Sequence, residues 1–426
     1  MNIRTLRVFF ESDFVGDLAD SNGVWSFSYS GSWLEKGFPL APALPFQPES
    51  IVDGSTLRCV QTFFDNLLPE EAAKQLMAKD AGIAVSDHFS LLQYYGYESA
   101  GALTLLPPDE ALPELQGELA LTYQQLSVRI QKLPQAALSQ QAVKRMSLAG
   151  AQHKLPMILK GERFFEPLGA TLSEHILKPG HPQNDVWPHT AANEWFVMSL
   201  AKRVGLAVPS VHFFHVPESV YLVDRFDRDT YLDANGLVKH YRRHTIDGCQ
   251  LLQLAAPAKY DQCTVANLKQ LAQMCRRKLK TRQLLFEWLV FNYLTGNTDA
   301  HLKNLSVFCT PSGYELTPHY DLLCTSVSYG QGNWMKDEMV TPIGSARRFC
   351  DVTASDWQYL AMELGVTAAF ARKTLTQLSE NIVTQSHRLL EESRTVVDAG
   401  EERQLSLIIF GPITEACQKV SQTLVE

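Results

Sequence analysis

The 426-residue chain has eight cysteines, but none forms a CxxC pair, and positions 59, 249, 263, 275, 309, 324, 350 and 417 follow neither a disulfide framework nor a zinc-site spacing. In a chain long enough for a full core, such scattered thiols act as small buried hydrophobes of a reducing compartment. Long apolar runs are also missing. The longest, Leu284 to Leu294, is interrupted by Glu287 and Asn292 and is too short to span a bilayer. The N-terminal segment alternates and turns acidic at Glu11, unlike a signal peptide, so a cytoplasmic location is expected. Positive charge is in deficit, with 38 Lys and Arg against 46 Asp and Glu, for a net charge of −8. That balance argues against a protein whose main task is gripping nucleic acid, while leaving room for a DNA-binding partner. Neither a 20–50-residue repeat nor a low-complexity tract is visible.

What is present is ordinary globular composition, 45% apolar and 20% charged, which excludes a largely disordered or collagenous chain. At about 150 residues per domain, two or three domains are expected. Residues 3–10 and 25–29 alternate as strands do, whereas 63–79 and 86–96 read as short helices, with Ser86 as N-cap and Gly96 as stop. Residues 106–118 read as a linker rich in proline and acid. Strands are predicted over 155–159, 175–178, 211–216 and 220–223, and a helix over 190–204 that stops at Gly205. From about Thr245 the pattern turns helical. The domains expected are an α+β N-terminal subdomain (1–107), a strand-rich lobe (108–226) and an all-helical C-lobe with the catalytic loop (227–426).

The chemically informative segment is Gly296-Asn-Thr-Asp-Ala-His-Leu-Lys-Asn304, which follows the apolar helix 284–294. Asp299 and Asn304 are five apart, the D-x-x-x-x-N spacing of a kinase catalytic loop. A carboxylate there can accept the proton of an attacking hydroxyl, and an amide oxygen can help to hold magnesium. Lys303 can bring positive charge to the moving phosphoryl group. Asp321, 22 residues after Asp299, stands where a kinase places a second acid on the metal, and magnesium prefers hard oxygen ligands. Upstream, Ser147-Leu-Ala-Gly-Ala-Gln-His-Lys154 gathers small residues that would let backbone N–H groups approach phosphate oxygens. Taken alone, it fits a plain surface loop better. Lys178 ends the β-like run 175–178, the place of a phosphate-pairing lysine, and Glu194 on the next helix could position it. The apolar strand Tyr221–Asp224 running into charge suits an interlobe hinge.

Together SLAGAQHK, HILKP, NEW, YLVDRFDR, GNTDAHLKN and HYDLL, with FDNLLPE at 64–70, resemble the HipA family of serine/threonine-protein kinase toxins over roughly residues 1–395. The resemblance implies an α+β, bilobal protein-kinase-like fold that uses ATP and Mg²⁺ to phosphorylate protein serine, with aminoacyl-tRNA synthetases as targets. It implies Asp299 as catalytic base, Asn304 and Asp321 on magnesium, and Lys178 on the phosphates. Residues 147–154, with Ser147, Ala149, Gly150, Ala151, Gln152 and Lys154, would form the phosphate loop, and Ser147 its inhibitory autophosphorylation site. Asp224 and Phe226 would line the adenine pocket, with Tyr320 near the base. Asp224 stands where a longer Glu is expected at the hinge. A small helix-turn-helix antitoxin that binds operator DNA is the implied partner.

Other features carry less. His212 and His215 sit three apart on a strand and so face opposite ways, which makes a joint metal site unattractive. The basic run Cys275–Arg282 fits a solvated helix face or a contact with nucleic acid. Two rival readings remain, a small-molecule phosphotransferase and a catalytically silent nucleotide-binding or DNA-tethered subunit.

Overall fold

The computed structural model describes residues 3–112, 114–133, 135–136, 152–232, 235–236, 238–327 and 333–425. The chain divides into two compact units. The first comprises residues 1–178, 224–258 and 306–314, and the second 179–223, 259–305 and 315–426.

The first unit opens with an antiparallel sheet in the order 51–52, 24–29, 13–21, 3–10, 103–106. Alternation along Ile3–Phe10 buries Leu6 and Val8, and Leu6 lies opposite Leu18 in the register. Gly16 is required where the sheet closes up, because a Cβ there would stand 2.1 Å from the Ser28 carbonyl oxygen. Helices Cys59–Asp65 and His88–Tyr95 pack on this sheet, with Trp25 edge-on to Phe89 at 5.2 Å, and Glu71–Ala81 packs on His88–Tyr95. The cap of the last helix is Asp87, not Ser86: its carboxylate accepts the Ser90 N–H at 3.2 Å. Either residue type can cap, and Asp87 is the one whose carboxylate reaches the first turn, taking both the N–H and the hydroxyl of Ser90.

The same unit contains strands Leu115–Leu121, Leu155–Lys160, Arg163–Gly169 and His175–Pro179, with 155–160 paired to both 163–169 and 175–179. Leu115–Leu121 pairs with Arg163–Gly169, so the stretch read as linker ends in a strand. As an edge strand it needs apolar residues on one face only, which blurs its signal. Helix Tyr123–Gln131 escaped the reading, although its capping box, Thr122 with Gln125, is written in the sequence.

A buried ionic cluster also belongs to this unit. Arg225 forks onto Asp227 at 2.9 and 2.7 Å and reaches Glu98 at 3.1 Å, and Arg228 pairs with both acids. Burial alone would raise the Asp227 carboxyl, but Arg225 and Arg228 outweigh it and pull its pKa down to about 2.

The second unit is built on helices Thr190–Arg203, Val265–Met274, Lys278–Leu294, Ala354–Leu364, Ala368–Ser393, Ala399–Ile408 and Thr414–Val425. Four of these helices start on a side-chain cap, from Thr264, Thr353, Thr367 and Asp398. Lys278–Leu294 is its central rod, with Leu285, Phe286 and the whole run 288–294 buried. The kinase-like α+β expectation holds, with one difference of detail. The stretch 227–426, expected to be all helical, also holds strands at 228–232, 238–242, 245–247, 306–310, 313–316, 338–343 and 346–348. Strands of three to six residues are too short to establish a period of two against helical neighbours. Among the described residues no helix is long and apolar enough to cross a membrane.

Candidate active site

The loop expected to carry the chemistry begins where the buried rod ends. Gly296 adopts φ +62°, and a Cβ there would meet Ser326 Oγ and Pro412 Cβ at 3.0 Å, so both the turn and the packing call for glycine. Asn292, in the last turn of the helix, donates to the Trp288 carbonyl at 2.8 Å and accepts from Asn297 Nδ2 at 2.7 Å. Asn297 Oδ1 then accepts the backbone N–H of Asp299 at 2.9 Å. A chain of buried amides therefore fixes where Asp299 leaves the rod.

Asp299 itself is reachable, with 43% of its side chain exposed, whereas Lys303 and Asn304 are buried at 7% and 5% exposure. Tyr260 donates its hydroxyl to Asp299 Oδ1 at 2.6 Å, and His301 Nε2 lies 3.9 Å from the same oxygen. Asn304 Nδ2 donates to the Asp299 carbonyl at 2.9 Å. With its nitrogen committed there, the amide oxygen is the atom it can offer to a cation.

The segment with the second acid is stitched to this loop. Tyr320 donates its hydroxyl to the Lys303 carbonyl at 2.8 Å, the Thr298 N–H reaches Thr325 Oγ1 at 2.6 Å, and Ser326 Oγ donates to the Gly296 carbonyl at 2.8 Å. Asp321, between these ties, takes φ +54°, a left-handed conformation that aspartate tolerates better than most residues. Asn193 clamps the far end by exchanging two hydrogen bonds with the backbone of Cys324. His319 is fully enclosed and stacked on Trp288, and burial pushes its pKa down to about 4. An amide oxygen, a carboxylate and a nearby acid are hard donors of the kind magnesium takes, so this set fits that ion.

The remaining expected residues are distributed as follows. Lys178, 4% exposed, lies on strand His175–Pro179 of the first unit. Asp224 ends strand Ser219–Asp224, with its Oδ1 3.4 Å from His175 Nε2. Phe226 sits edge-on to Phe308 at 6.1 Å, and the Arg243 guanidinium lies 3.4 Å from the Phe308 ring centroid. Gln152 and Lys154 are half-buried. Ser147, Ala149, Gly150 and Ala151 lie outside the described residues. Glu194, on the helix of the second unit, is buried at 3% exposure rather than solvated. His215 faces the buried Glu401 at 3.1 Å. The basic run spans a helix junction, with 276–280 exposed and Arg276 paired to Glu315 at 3.2 Å. Sequence reasoning missed Tyr260 and Asn193; no local motif marks the first, and the second hides beside the more conspicuous Glu194.

A buried helix that delivers an Asp-x₄-Asn loop, stitched to a second acid within an α+β fold, defines a kinase-type phosphotransferase. Residues 146–386 match the HipA-like C-terminal domain and residues 6–106 the HipA N-terminal domain. A Sinorhizobium fredii protein named as a kinase, Y4mE, is 34% identical over 408 residues, which cover 92% of this chain and 93% of that one. The serine/threonine-protein kinase toxin HipA of Shewanella oneidensis is 32% identical over 341 residues, 75% of each chain. A solved structure of the Shewanella oneidensis toxin–antitoxin complex of HipA, HipB and operator DNA superposes with a TM-score of 0.82 at 25% identity over 99% of both chains. The chain belongs to the HipA family of serine/threonine-protein kinase toxins.

Proposed function

We propose that the protein is the toxin of a toxin–antitoxin pair and transfers the γ-phosphoryl group of ATP to a serine or threonine hydroxyl of a translation component, an aminoacyl-tRNA synthetase. The observation that carries this reading is the tie between two segments of one unit, the Asp299–Asn304 loop and the Tyr320–Ser326 segment. Asp299 accepts the proton of the attacking hydroxyl, and its exposed side chain suits a protein substrate. Asn304 and Asp321 would hold Mg²⁺, which when bound neutralises charge on the phosphates. In the first unit Lys178, Gln152 and Lys154 would serve the phosphates and Asp224 and Phe226 the nucleotide; in the second, Lys303 would add positive charge and Tyr320 would serve the nucleotide.

The family relative solved with HipB and operator DNA supports a small DNA-binding antitoxin as partner. Ser147 is the residue through which the kinase silences itself, because phosphate there would add about −1.5 to −2 charges beside the β- and γ-phosphates. The test is incubation with labelled ATP and a lysate of the host, followed by identification of labelled proteins. A labelled synthetase with the wild type and none with Asp299→Asn is expected. Label confined to small molecules would overturn the reading.

A further inference from the structure

We infer that Tyr260 is a positioning residue for phosphoryl transfer, holding the Asp299 carboxylate in its working orientation. The inference rests on the reading of Asp299 as catalytic base and extends the site to a segment 39 residues upstream. Its hydroxyl donates to Oδ1 at 2.6 Å, a short contact of the charge-assisted kind. Asp299 is 43% exposed, so packing alone does little to select one carboxylate rotamer. A general base must present an oxygen within hydrogen-bond reach of the hydroxyl it deprotonates, and a freely rotating carboxylate spends much of its time elsewhere.

The brace is itself held from several sides, which distinguishes it from a chance surface contact. Lys259, just before it, is buried at 5% exposure, with its ammonium 5.0 Å from the Tyr260 ring centroid. The ring stands edge-on to the buried imidazole of His301 at 4.9 Å. Three residues on, the Cys263 thiol points to the Ala300 carbonyl at 3.6 Å, a second tie to the same loop. Thr341 in turn fixes Cys263 by donating to its carbonyl at 2.8 Å. The segment 259–263 therefore grips the catalytic loop at the Asp299 carboxylate, the Ala300 carbonyl and the His301 ring, with the phenol donating directly to the carboxylate.

The test uses the full-length protein, ATP and a serine-containing acceptor, in four forms: wild type, Tyr260→Phe, Asp299→Asn and the double variant. Tyr260→Phe removes one oxygen and should lower kcat about tenfold, the scale of one hydrogen bond to a charged group, with KM for ATP within about twofold. In single-turnover measurements on the Asp299→Asn background, the same change should alter the residual rate by less than about twofold, because the group it positions is gone. Equal slowing in both backgrounds would mean that Tyr260 merely supports the loop and would overturn the inference. A wild-type or faster rate for Tyr260→Phe, with Asp299→Asn inactive, would overturn it while leaving the base assignment intact. Full turnover by Asp299→Asn would instead remove the base assignment, and the inference with it.

Discussion

Asn193 and Cys324, 131 residues apart, exchange two hydrogen bonds: the amide Nδ2 donates to the Cys324 carbonyl at 2.7 Å, and its Oδ1 accepts the Cys324 N–H at 2.9 Å. Both residues are fully buried. A side-chain amide here does what a neighbouring strand would do for backbone that belongs to no sheet. It pins the segment three residues beyond Asp321 to the helix Thr190–Arg203.

Asn193→Ala would strand a buried N–H and a buried carbonyl, at a cost of about 2–4 kcal/mol. Urea unfolding should register that loss. Calorimetry should also find weaker binding of Mg·ATP, since the Asp321 segment loses its anchor. Unchanged affinity in a folded variant would show that the anchor serves stability alone.

Asp299→Asn should lower turnover by about 10²–10⁴-fold while nucleotide binding persists, the usual loss for a positioned general base. The comparison is initial rate against ATP affinity. Turnover within threefold of the wild type contradicts the role assigned.

For Asp321→Asn the expected defect is in binding. Loss of a charged oxygen ligand should weaken magnesium-dependent ATP affinity, measured by titration with and without the metal. If affinity and activity both stay as in the wild type, Asp321 is only a turn residue.

Acid should destabilise the fold through two enclosed histidines. Burial pushes His319 and His244 down to about 4 from 6.5, so the unfolded chain takes up their protons first as pH falls. Stability is then fully present above pH 6.5 and is lost between 6.5 and 4. Each contributes on the order of 1–3 kcal/mol over that window. Denaturant unfolding at pH 7 and pH 5 measures the slope, and His244→Gln should flatten it by about one proton's share. A slope untouched by that change would place the pH dependence elsewhere.

Ser147 should carry phosphate in the active protein and none in Asp299→Asn, as read by mass spectrometry. If the fully phosphorylated form bound ATP and modified substrate as well as the unmodified one, the serine would have no switching role.

Much of this was legible in the residues themselves. The helix Thr190–Arg203 with Gly205 after it, the strand His175–Pro179 and the buried rod before Gly296 all follow from periodicity and stop signals. The Asp299–Asn304 spacing was readable because both residues belong to one short loop whose chemistry fixes their separation. Less legible were elements with weak periods, such as the edge strand Leu115–Leu121, and charged groups whose partners are remote. Arg225 and Arg228 read as a strand running into charge, yet both are buried against Glu98, more than 120 residues away.

The sequence by itself therefore determined the order of the motifs, the residue types proposed for the chemistry and many of the helices and strands that carry them, because those depend on neighbours within a turn or two. Only the tertiary structure decided that Tyr260 grips Asp299, that Asn193 clamps Cys324 and that Glu98 pairs with two buried arginines. Such pairs are joined by the route of the backbone. A single hydrogen bond across tens of residues leaves no periodic trace in the chain that makes it.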